Sequence, residues 1–279
     1  MIGRLFGRGV RALSTGAVLG TVLATVLSAG TAWAADPVHL KVGIRGGISE
    51  PIWEIVTKVA KARGLEIEPV VMAGTLSPNE ALNTGDLQAN AFQHIPFLRD
   101  QIAQRGYKLA VVGNTYLSPI AFYSKTYKSL KDLPNGAKVG VPDDPSNESR
   151  ALIVLRDEGL LRLRDGFDTF NQTATLADIA ENPRKLEIVE VKSVVLARSY
   201  QDLDAAAIIS SFGSQVGLNA ARDGIAQEKR DNNPNVNVIV VREQDKDAPW
   251  VKPLVESFQS PEVRAHIEKE LAGILIPAF

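Results

Sequence analysis

The chain has 279 residues, of which 31 are Lys or Arg and 32 are Asp or Glu, so its formal charge is only −1. This length allows one large or two modest domains, and the near-zero charge argues against nucleic-acid binding. The absence of cysteine excludes disulfides, thiolate nucleophiles and Cys-ligated metals, and three histidines leave little for a histidine-based metal site. We therefore expect no metal and no organic cofactor.

The first 34 residues are predicted to be a signal peptide (1–34). Three arginines precede an uncharged, mostly apolar run from 12 to 29. Small residues in Ala32-Trp33-Ala34 favour cleavage after Ala34, which would leave a mildly acidic exported protein in the periplasm. A retained membrane anchor is the alternative, disfavoured because the run is short for a bilayer core of about 30 Å. No cysteine follows the run, so we expect no lipid anchor.

The rest of the chain alternates predicted strands and helices. The strands are predicted at 39–44, 65–72, 108–112, 120–124, 138–141, 186–191, 205–209 and 236–241. The helices are predicted at about 52–63, 78–84, 95–105, 148–158, 176–181, 200–203, 214–221, 249–258 and 261–271. This order predicts an α/β fold with mixed, mostly parallel sheets flanked by helices.

The segment from 139 to 150 carries the clearest binding signal. It runs from a short strand through a turn into a helix, for which Asn147 is a good N-cap. Free N–H groups at this helix start, with Arg150 in the first turn, would receive a carboxylate. The alternative is an ordinary capped helix whose Arg150 pairs with a surface acid. The neighbouring Asp143-Asp144 pair is explained by turn and cap chemistry.

A second segment, 85–94, is predicted to enter a strand on which Phe92 and His94 point to one side. They could line a pocket, although each could equally be a core or loop residue. The serines in 210–214 lack a Gly-x-Ser-x-Gly elbow and a base, and neither nucleotide-binding glycine motif is present. No catalytic machinery can therefore be named.

These segments also carry a family resemblance. The motifs are Pro78-Asn79-Glu80-Ala81-Leu82, Ala89-Asn90-Ala91-Phe92-Gln93-His94, Arg105-Gly106-Tyr107-Lys108-Leu109, Val112-Gly113-Asn114-Thr115 and Val141-Pro142-x-Asp144-Pro145-x-Asn147-x-x-Arg150. Together with shorter strings as far as Asp223-Gly224-Ile225, they resemble the NlpA/MetQ family of methionine-binding proteins. The resemblance implies a non-enzymatic substrate-binding protein that delivers a small carboxylate ligand to an ABC permease in the inner membrane.

The resemblance further implies a two-lobe periplasmic substrate-binding protein of type II. Lobe 1 would comprise 37–121 plus 242–279, and lobe 2 would comprise 122–241. Arg150 would hold the ligand's α-carboxylate beside Asn147, while Phe92 and His94 would enclose its side chain from the other lobe. A ligand that touches both lobes would favour the closed cleft.

Three positions depart from the family pattern. Ile209 replaces an Asn that reaches the head group of the ligand, and Thr75 and Ser118 replace aromatic residues. A missing hydrogen-bond partner typically costs about 1–3 kcal/mol. The three changes therefore weaken recognition of a free amino acid. The ligand is expected to be methionine or a methionine-like amino acid or derivative, and a short peptide or another organic acid is the alternative. A chemosensory ligand receptor is the alternative function. Glu148 is a candidate for recruiting a ligand amine.

Overall fold

The computed structural model describes residues 36–72 and 77–279. The predicted signal peptide with its cleavage site, and Thr75, lie outside these ranges. Within them, no helix has both the length and the apolar character needed to cross a membrane.

The strands are, in chain order, β1 (Val38–Ile44), β2 (Leu65–Val71), β3 (Ala89–His94), β4 (Leu109–Leu117), β5 (Ile120–Tyr123), β6 (Lys138–Pro142), β7 (Arg162–Leu163), β8 (Ile179–Glu181), β9 (Glu187–Val191), β10 (Ala205–Ile209), β11 (Ala226–Gln227), β12 (Val236–Arg242) and β13 (Ile276–Pro277). The α-helices are α1 (Ser49–Lys61), α2 (Pro78–Thr84), α3 (Ile95–Arg105), α4 (Pro145–Asp157), α5 (Ser193–Ser199), α6 (Ser210–Gly213), α7 (Ala220–Asp223), α8 (Val251–Phe258) and α9 (Pro261–Glu270).

Two mixed sheets form the framework. The first has the order β13-β4-β12-β3-β1-β2, and the second has the order β11-β5-β10-β6-β9. Parallel pairing joins β2, β1 and β3 in the first sheet and β10, β6 and β9 in the second. Antiparallel strand pairs are more numerous than the sequence predicts, because β5 and β12 run antiparallel to both of their neighbours.

Each sheet has its own apolar core. Helices α1, α8 and α9 pack on the first sheet, where Trp53 and Phe258 are buried with ring centroids 5.6 Å apart. Helix α4 packs on the second sheet through Leu152 and Leu155, both fully buried. Burying each such side chain contributes roughly 1.5–3 kcal/mol. The two lobes are thus stabilised separately.

The chain passes between the sheets twice. Ser118 and Pro119 connect β4 to β5, and residues 228–235 connect β11 to β12. The predicted second lobe, 122–241, includes Val236 to Val241, which the structure places in the first sheet. The sequence boundary is wrong there because β12 pairs with β3 and β4 rather than with any strand of the second sheet. The first crossing likewise precedes Ile120 rather than residue 122.

Three predicted helices are shorter than expected. Leu176–Asp178 is one 3-10 turn, after which β8 pairs with β7. The helix prediction for 176–181 fails because Ile179–Glu181 leaves the turn as a strand that pairs with β7. Tyr200–Asp202 is a 3-10 extension of α5, and Gly217, with φ 81°, divides the predicted 214–221 helix.

Candidate ligand-binding cavity

A cavity of about 230 Å³ lies between the two sheets. Elements of both lobes contribute to its wall, including the carboxyl ends of β1 and β3 and the start of α4. Six predicted site residues line it, namely Phe92, His94, Ser118, Asn147, Arg150 and Ile209. The seventh, Thr75, is not among the described residues. A cleft at the carboxyl ends of strands is the usual ligand position in open α/β sheets.

Helix α4 begins three residues earlier than its sequence suggests. Asp144 is the N-cap, its carboxylate accepts the Asn147 N–H at 3.0 Å, and Pro145 occupies the first helical position. The sequence had suggested Asn147 as the N-cap, and this prediction is wrong because Pro145 fixes the helix start upstream of Asn147. Asn147 and Arg150 stand three residues apart on one helix face and both reach the cavity.

His94 and Asn147 join the two lobes across the cavity. The Nδ1 atom of His94 accepts the Phe97 N–H at 3.2 Å, so the neutral ring carries its proton on Nε2. That Nε2–H donates to Asn147 Oδ1 at 3.0 Å. Asn147 Nδ2 in turn donates to both carboxylate oxygens of Asp144. The helix cap is thereby connected to the opposite lobe.

Burial keeps His94 neutral. Burial, and next the positive charge of Arg150, lower the pKa of His94 to about 3, while its hydrogen bond to Asn147 acts in the opposite direction. A neutral imidazole can serve as donor and acceptor at once, which the two contacts of this ring require. His94 is therefore a fixed polar connector and contributes no charge to the cavity near pH 7.

Arg150 is buried and already paired. Its Nε donates to Glu228 Oε2 at 3.1 Å, and its Nη2 donates to Glu228 Oε1. Its Nη1 donates to Asn147 Oδ1 at 2.9 Å. In this structure the Glu228 carboxylate occupies the guanidinium fork, and the role of Arg150 in ligand binding stays a prediction. The alternative of a surface partner is wrong, because Glu228 is only 9% exposed. One Nη1 N–H remains without a partner among the described residues.

Arg150 also touches both crossings between the lobes. Its Nη2 donates to the Ser118 carbonyl at 2.8 Å in the first crossing, while Glu228 opens the second. The Glu228 Oε1 atom accepts the Ile120 N–H at 2.8 Å. The two crossing segments and α4 are thus held together at one buried guanidinium.

The positions that depart from the family pattern have defined surroundings. The Ser118 hydroxyl accepts the Ser211 N–H at 3.0 Å, so this small side chain ties the crossing to α6. Ile209 ends β10 and belongs to the core of the second lobe while it also faces the cavity. Phe92 is half-buried and meets Phe97 edge-on, with centroids 6.1 Å apart. At position 209 the cavity wall therefore has an apolar side chain in place of the amide of the family pattern.

Glu148 lies away from the cavity wall. Its carboxylate accepts the Leu176 N–H at 3.1 Å inside the second lobe. Burial, and then the nearby Glu190, raise the pKa of Glu148 to about 7. The suggestion that it recruits a ligand amine is wrong for this structure, because the side chain is engaged in its own lobe and is not part of the lining.

Arg45 and Asn237 are among the cavity residues that sequence reasoning missed. Arg45 follows β1 directly, and its guanidinium lies 5.3 Å from the Phe92 ring centroid and 6.0 Å from that of Phe212. Asn237 in β12 is 7% exposed, lines the cavity beside His94, its cross-strand neighbour in β3, and its amide makes no hydrogen bond within the described part of the chain. Arg45 could have been predicted, because a charged residue directly after a buried strand often lies at a site. Asn237 could not, because it only interrupts an otherwise apolar strand.

Comparison with known proteins places this cavity in context. A sequence profile of the family described as NlpA lipoprotein matches residues 40–279. A D-methionine-binding lipoprotein, MetQ of Escherichia coli K12, is 45% identical over 241 residues, which cover 85% of this chain and 88% of the relative. This relative is named a lipoprotein, whereas the sequence of this chain contains no cysteine.

Two solved structures are similar along their whole length. A nutrient-binding protein from Burkholderia cenocepacia, bound to methionine, is 47% identical with a TM-score of 0.83, covering 86% of this chain and 100% of that one. A periplasmic substrate-binding protein of an ABC transporter from Coxiella burnetii is 40% identical with a TM-score of 0.81, with the same coverage of each chain. Both support the two-lobe architecture described above.

Proposed function

The chain belongs to the NlpA lipoprotein family, and on that premise we propose that it is the extracytoplasmic substrate-binding protein of an ABC importer. Its ligand is methionine or a methionine-like carboxylate, enclosed between the two lobes. The observation that carries this proposal is the cavity itself, whose wall combines a buried guanidinium, aromatic rings and an amide that has no partner among the described residues. Within the described ranges the site has binding groups and no nucleophile paired with a base, which fits a receptor rather than an enzyme.

The polar part of the wall suits an amino-acid head group. Burying a carboxylate is costly unless a cation and hydrogen bonds replace its water. The remaining Nη1 N–H of Arg150 and the amide of Asn237 offer such bonds from opposite lobes. Glu228 keeps the guanidinium in place before a ligand arrives, so little side-chain entropy is lost on binding.

The apolar part of the wall suits a thioether side chain. Phe92, Phe97, Tyr116 and Phe212 all line the cavity. Sulfur in contact with aromatic rings gains about 0.3–1.5 kcal/mol, and methionine's unbranched chain adapts to an irregular space. This composition supports a methionine-type ligand over a strongly hydrophilic one.

Closure of the lobes is the proposed output. We propose that the first lobe comprises about 37–119 and 236–279 and that the second comprises 120–227. The Asn219 amide donates to the Ala272 carbonyl at 3.0 Å, which adds a second polar contact across the cleft beside His94 and Asn147. A ligand that contacts both lobes stabilises this closed form, which the permease in the inner membrane would recognise. We place the protein in the periplasm, after cleavage following Ala34, without a lipid anchor.

The proposal is tested with the mature protein, residues 35–279. Native mass spectrometry identifies any ligand that copurifies, and calorimetric titration compares L-methionine, D-methionine, glycyl-L-methionine and acetate. We expect saturable binding of at least one methionine compound and none of acetate. Failure of every methionine compound to bind protein that has been unfolded, dialysed and refolded would contradict the proposed function.

A further inference from the structure

A second cavity, of about 430 Å³, lies along α4 outside the cleft. The rest of its wall comes from the start of α3, residues 169–173 and residues 227–235. Arg150 lines both cavities and its partner Glu228 lines the second, so this ion pair is where the two cavities meet. The volume of the second cavity falls within the range of roughly 300–1,000 Å³ that small-molecule sites occupy.

The wall of the second cavity carries no net charge. Four basic and four acidic side chains contribute to it. Asp157 pairs with Arg156 Nη2 at 2.7 Å and with Lys229 Nζ at 2.9 Å, and Glu228 pairs with Arg150. Because these charges balance within the wall, none is in excess to attract an ion, and a neutral ligand is the best electrostatic match.

Side-chain amides supply much of the polar surface of this wall. They are Asn171, Gln172, Gln227, Asn232, Asn233 and Asn235. An amide presents both hydrogen-bond donors and an acceptor, and a hydroxyl group also donates and accepts. The Gln227 Nε2 atom is buried and has no hydrogen-bond partner within the described ranges. A buried polar atom without a partner is costly, so a ligand that accepts from Gln227 would remove that cost.

The two loops that carry these amides are held in shape by their own hydrogen bonds. Asn233 Oδ1 accepts the Asn235 N–H at 2.8 Å, and Gln172 Oε1 accepts the Asp168 N–H at 3.0 Å. Phe170 lies between the two ends of the second loop and is 58% exposed. Its ring therefore adds a flat apolar surface to a wall that is formed before any ligand binds.

A neutral sugar matches this combination of groups. A pyranose ring carries hydroxyl groups around its edge and C–H groups on its faces, which suit the amides and the Phe170 ring respectively. An extended peptide would need the edge of a strand for backbone pairing. Among the described residues that line this cavity, only Gln227 lies in a strand, the two-residue β11. The wall therefore favours a sugar over a peptide.

We propose that this second cavity is an effector site for a neutral sugar of one or two rings. Its occupant would contact α3 of the first lobe, α4 of the second and the crossing between them. It would therefore stabilise the closed form and increase affinity for the ligand of the cleft. The effector role rests on the proposed function, whereas the sugar site itself does not.

The sugar site is tested by nuclear magnetic resonance with the ¹⁵N-labelled mature protein. The probes are maltose, N-acetyl-D-glucosamine and, for the peptide alternative, acetyl-triglycine amide. We expect at least one sugar to shift the backbone amide signals of residues 169–173 and 229–235 saturably, and the peptide to leave them unchanged. No saturable shift with either sugar, or binding of the peptide in their place, would overturn the proposal.

Two variants assign the bound sugar to this wall. Phe170→Ala and Asn232→Gly should each weaken sugar binding roughly threefold to tenfold. Asn232 has a φ of 53°, which Gly adopts without strain, so this variant should fold. Val111→Ala changes an exposed apolar side chain of the first lobe outside this cavity and should have no effect. Sugar affinity that is the same in all three variants would place the sugar elsewhere and overturn the proposal.

The effector role is tested by calorimetric titration with the methionine compound that binds wild type most tightly, with and without saturating sugar. We expect the sugar to tighten this binding about fivefold in wild type, and less in Phe170→Ala at the same sugar concentration. An unchanged affinity in wild type would overturn the effector role. Failure of every methionine compound to bind, with or without sugar, would instead contradict the proposed function, while the resonance shifts would still decide the sugar site.

Discussion

At the residue scale, the pair between Arg150 and Glu228 determines how the cavity presents its charge. Both side chains are buried, and both hydrogen-bond to backbone at or beside the first crossing between lobes. The position of Arg150 in the first turn of a predicted helix made this arginine predictable as a cavity residue. Its partner was not predictable, because Glu228 lies 78 residues away and no local pattern marks it.

Glu228→Gln should destabilise the fold, because it leaves the Arg150 charge buried without a carboxylate. Removing one partner of a buried pair costs about 3–5 kcal/mol. Urea denaturation followed by circular dichroism measures the loss in free energy of unfolding. Glu181→Gln is the matched control, since its pair with Arg162 is exposed and should contribute at most about 1 kcal/mol. Equal stability of the two variants would show that the buried pair is dispensable.

His94 should make the protein less stable as the pH falls. Its pKa is about 3 in the folded protein, below the value near 6.5 expected after unfolding, so the unfolded state binds the proton first. The stabilisation is complete above about pH 6.5 and is lost progressively down to about pH 3. Between pH 7 and pH 5 the loss attributable to His94 is about 2 kcal/mol.

The measurement compares urea denaturation of wild type and His94→Gln at both pH values. Wild type must be compared with His94→Gln because Glu148 also changes the stability over this pH range. Its folded pKa is about 7, so its protonation stabilises the fold, opposite to the effect of His94. His39→Gln, which removes an exposed ring, is the control. If wild type and His94→Gln lose the same free energy between pH 7 and pH 5, His94 is not held neutral by burial.

At the element scale, the start of α4 connects stability to binding. The Asp144 carboxylate caps the helix and also orients the Asn147 amide toward His94 and Arg150. Asp144→Ala should therefore lower the free energy of unfolding by about 1 kcal/mol and also weaken ligand affinity. Denaturation and calorimetric titration measure the two effects.

Ser260→Ala provides the matched control for that cap. Ser260 accepts the Val263 N–H at the start of α9, in the first lobe and outside the cavity lining. It should cost similar stability and leave affinity unchanged. If Asp144→Ala binds ligand as tightly as Ser260→Ala does, the cap of α4 does not contribute to ligand binding.

The elements that the sequence predicted well are those with strong local signals. Helices α2 and α3 and strand β10 have the predicted bounds, since Pro near the start and Gly after the end mark both helices. The 176–181 segment failed because its capping turn leads into a strand whose partner, β7, is distant in sequence. Local propensity cannot report such pairing.

At the scale of the whole molecule, the sequence predicted two lobes but misplaced where the chain passes between them. The apolar run of β12 reads the same whichever sheet receives it, and only its pairing with β3 and β4 assigns it to the first lobe. The charge balance of the cavity was equally hidden. It depends on Arg45, Asp143, Asp144, Arg150 and Glu228, which three separate parts of the chain bring together.

The proposed function requires this cavity to bind a methionine-type carboxylate through Arg150. The most direct measurement is calorimetric titration of the Arg150→Met/Glu228→Gln double variant with whichever methionine compound binds wild type most tightly. Removing both charges together avoids stranding one of them, so the variant should fold. Arg156→Met, on the exposed end of the same helix, is the control. We predict an affinity loss of roughly 10- to 100-fold in the folded double variant and none in the control; an unchanged affinity in the double variant would show that Arg150 does not hold the ligand.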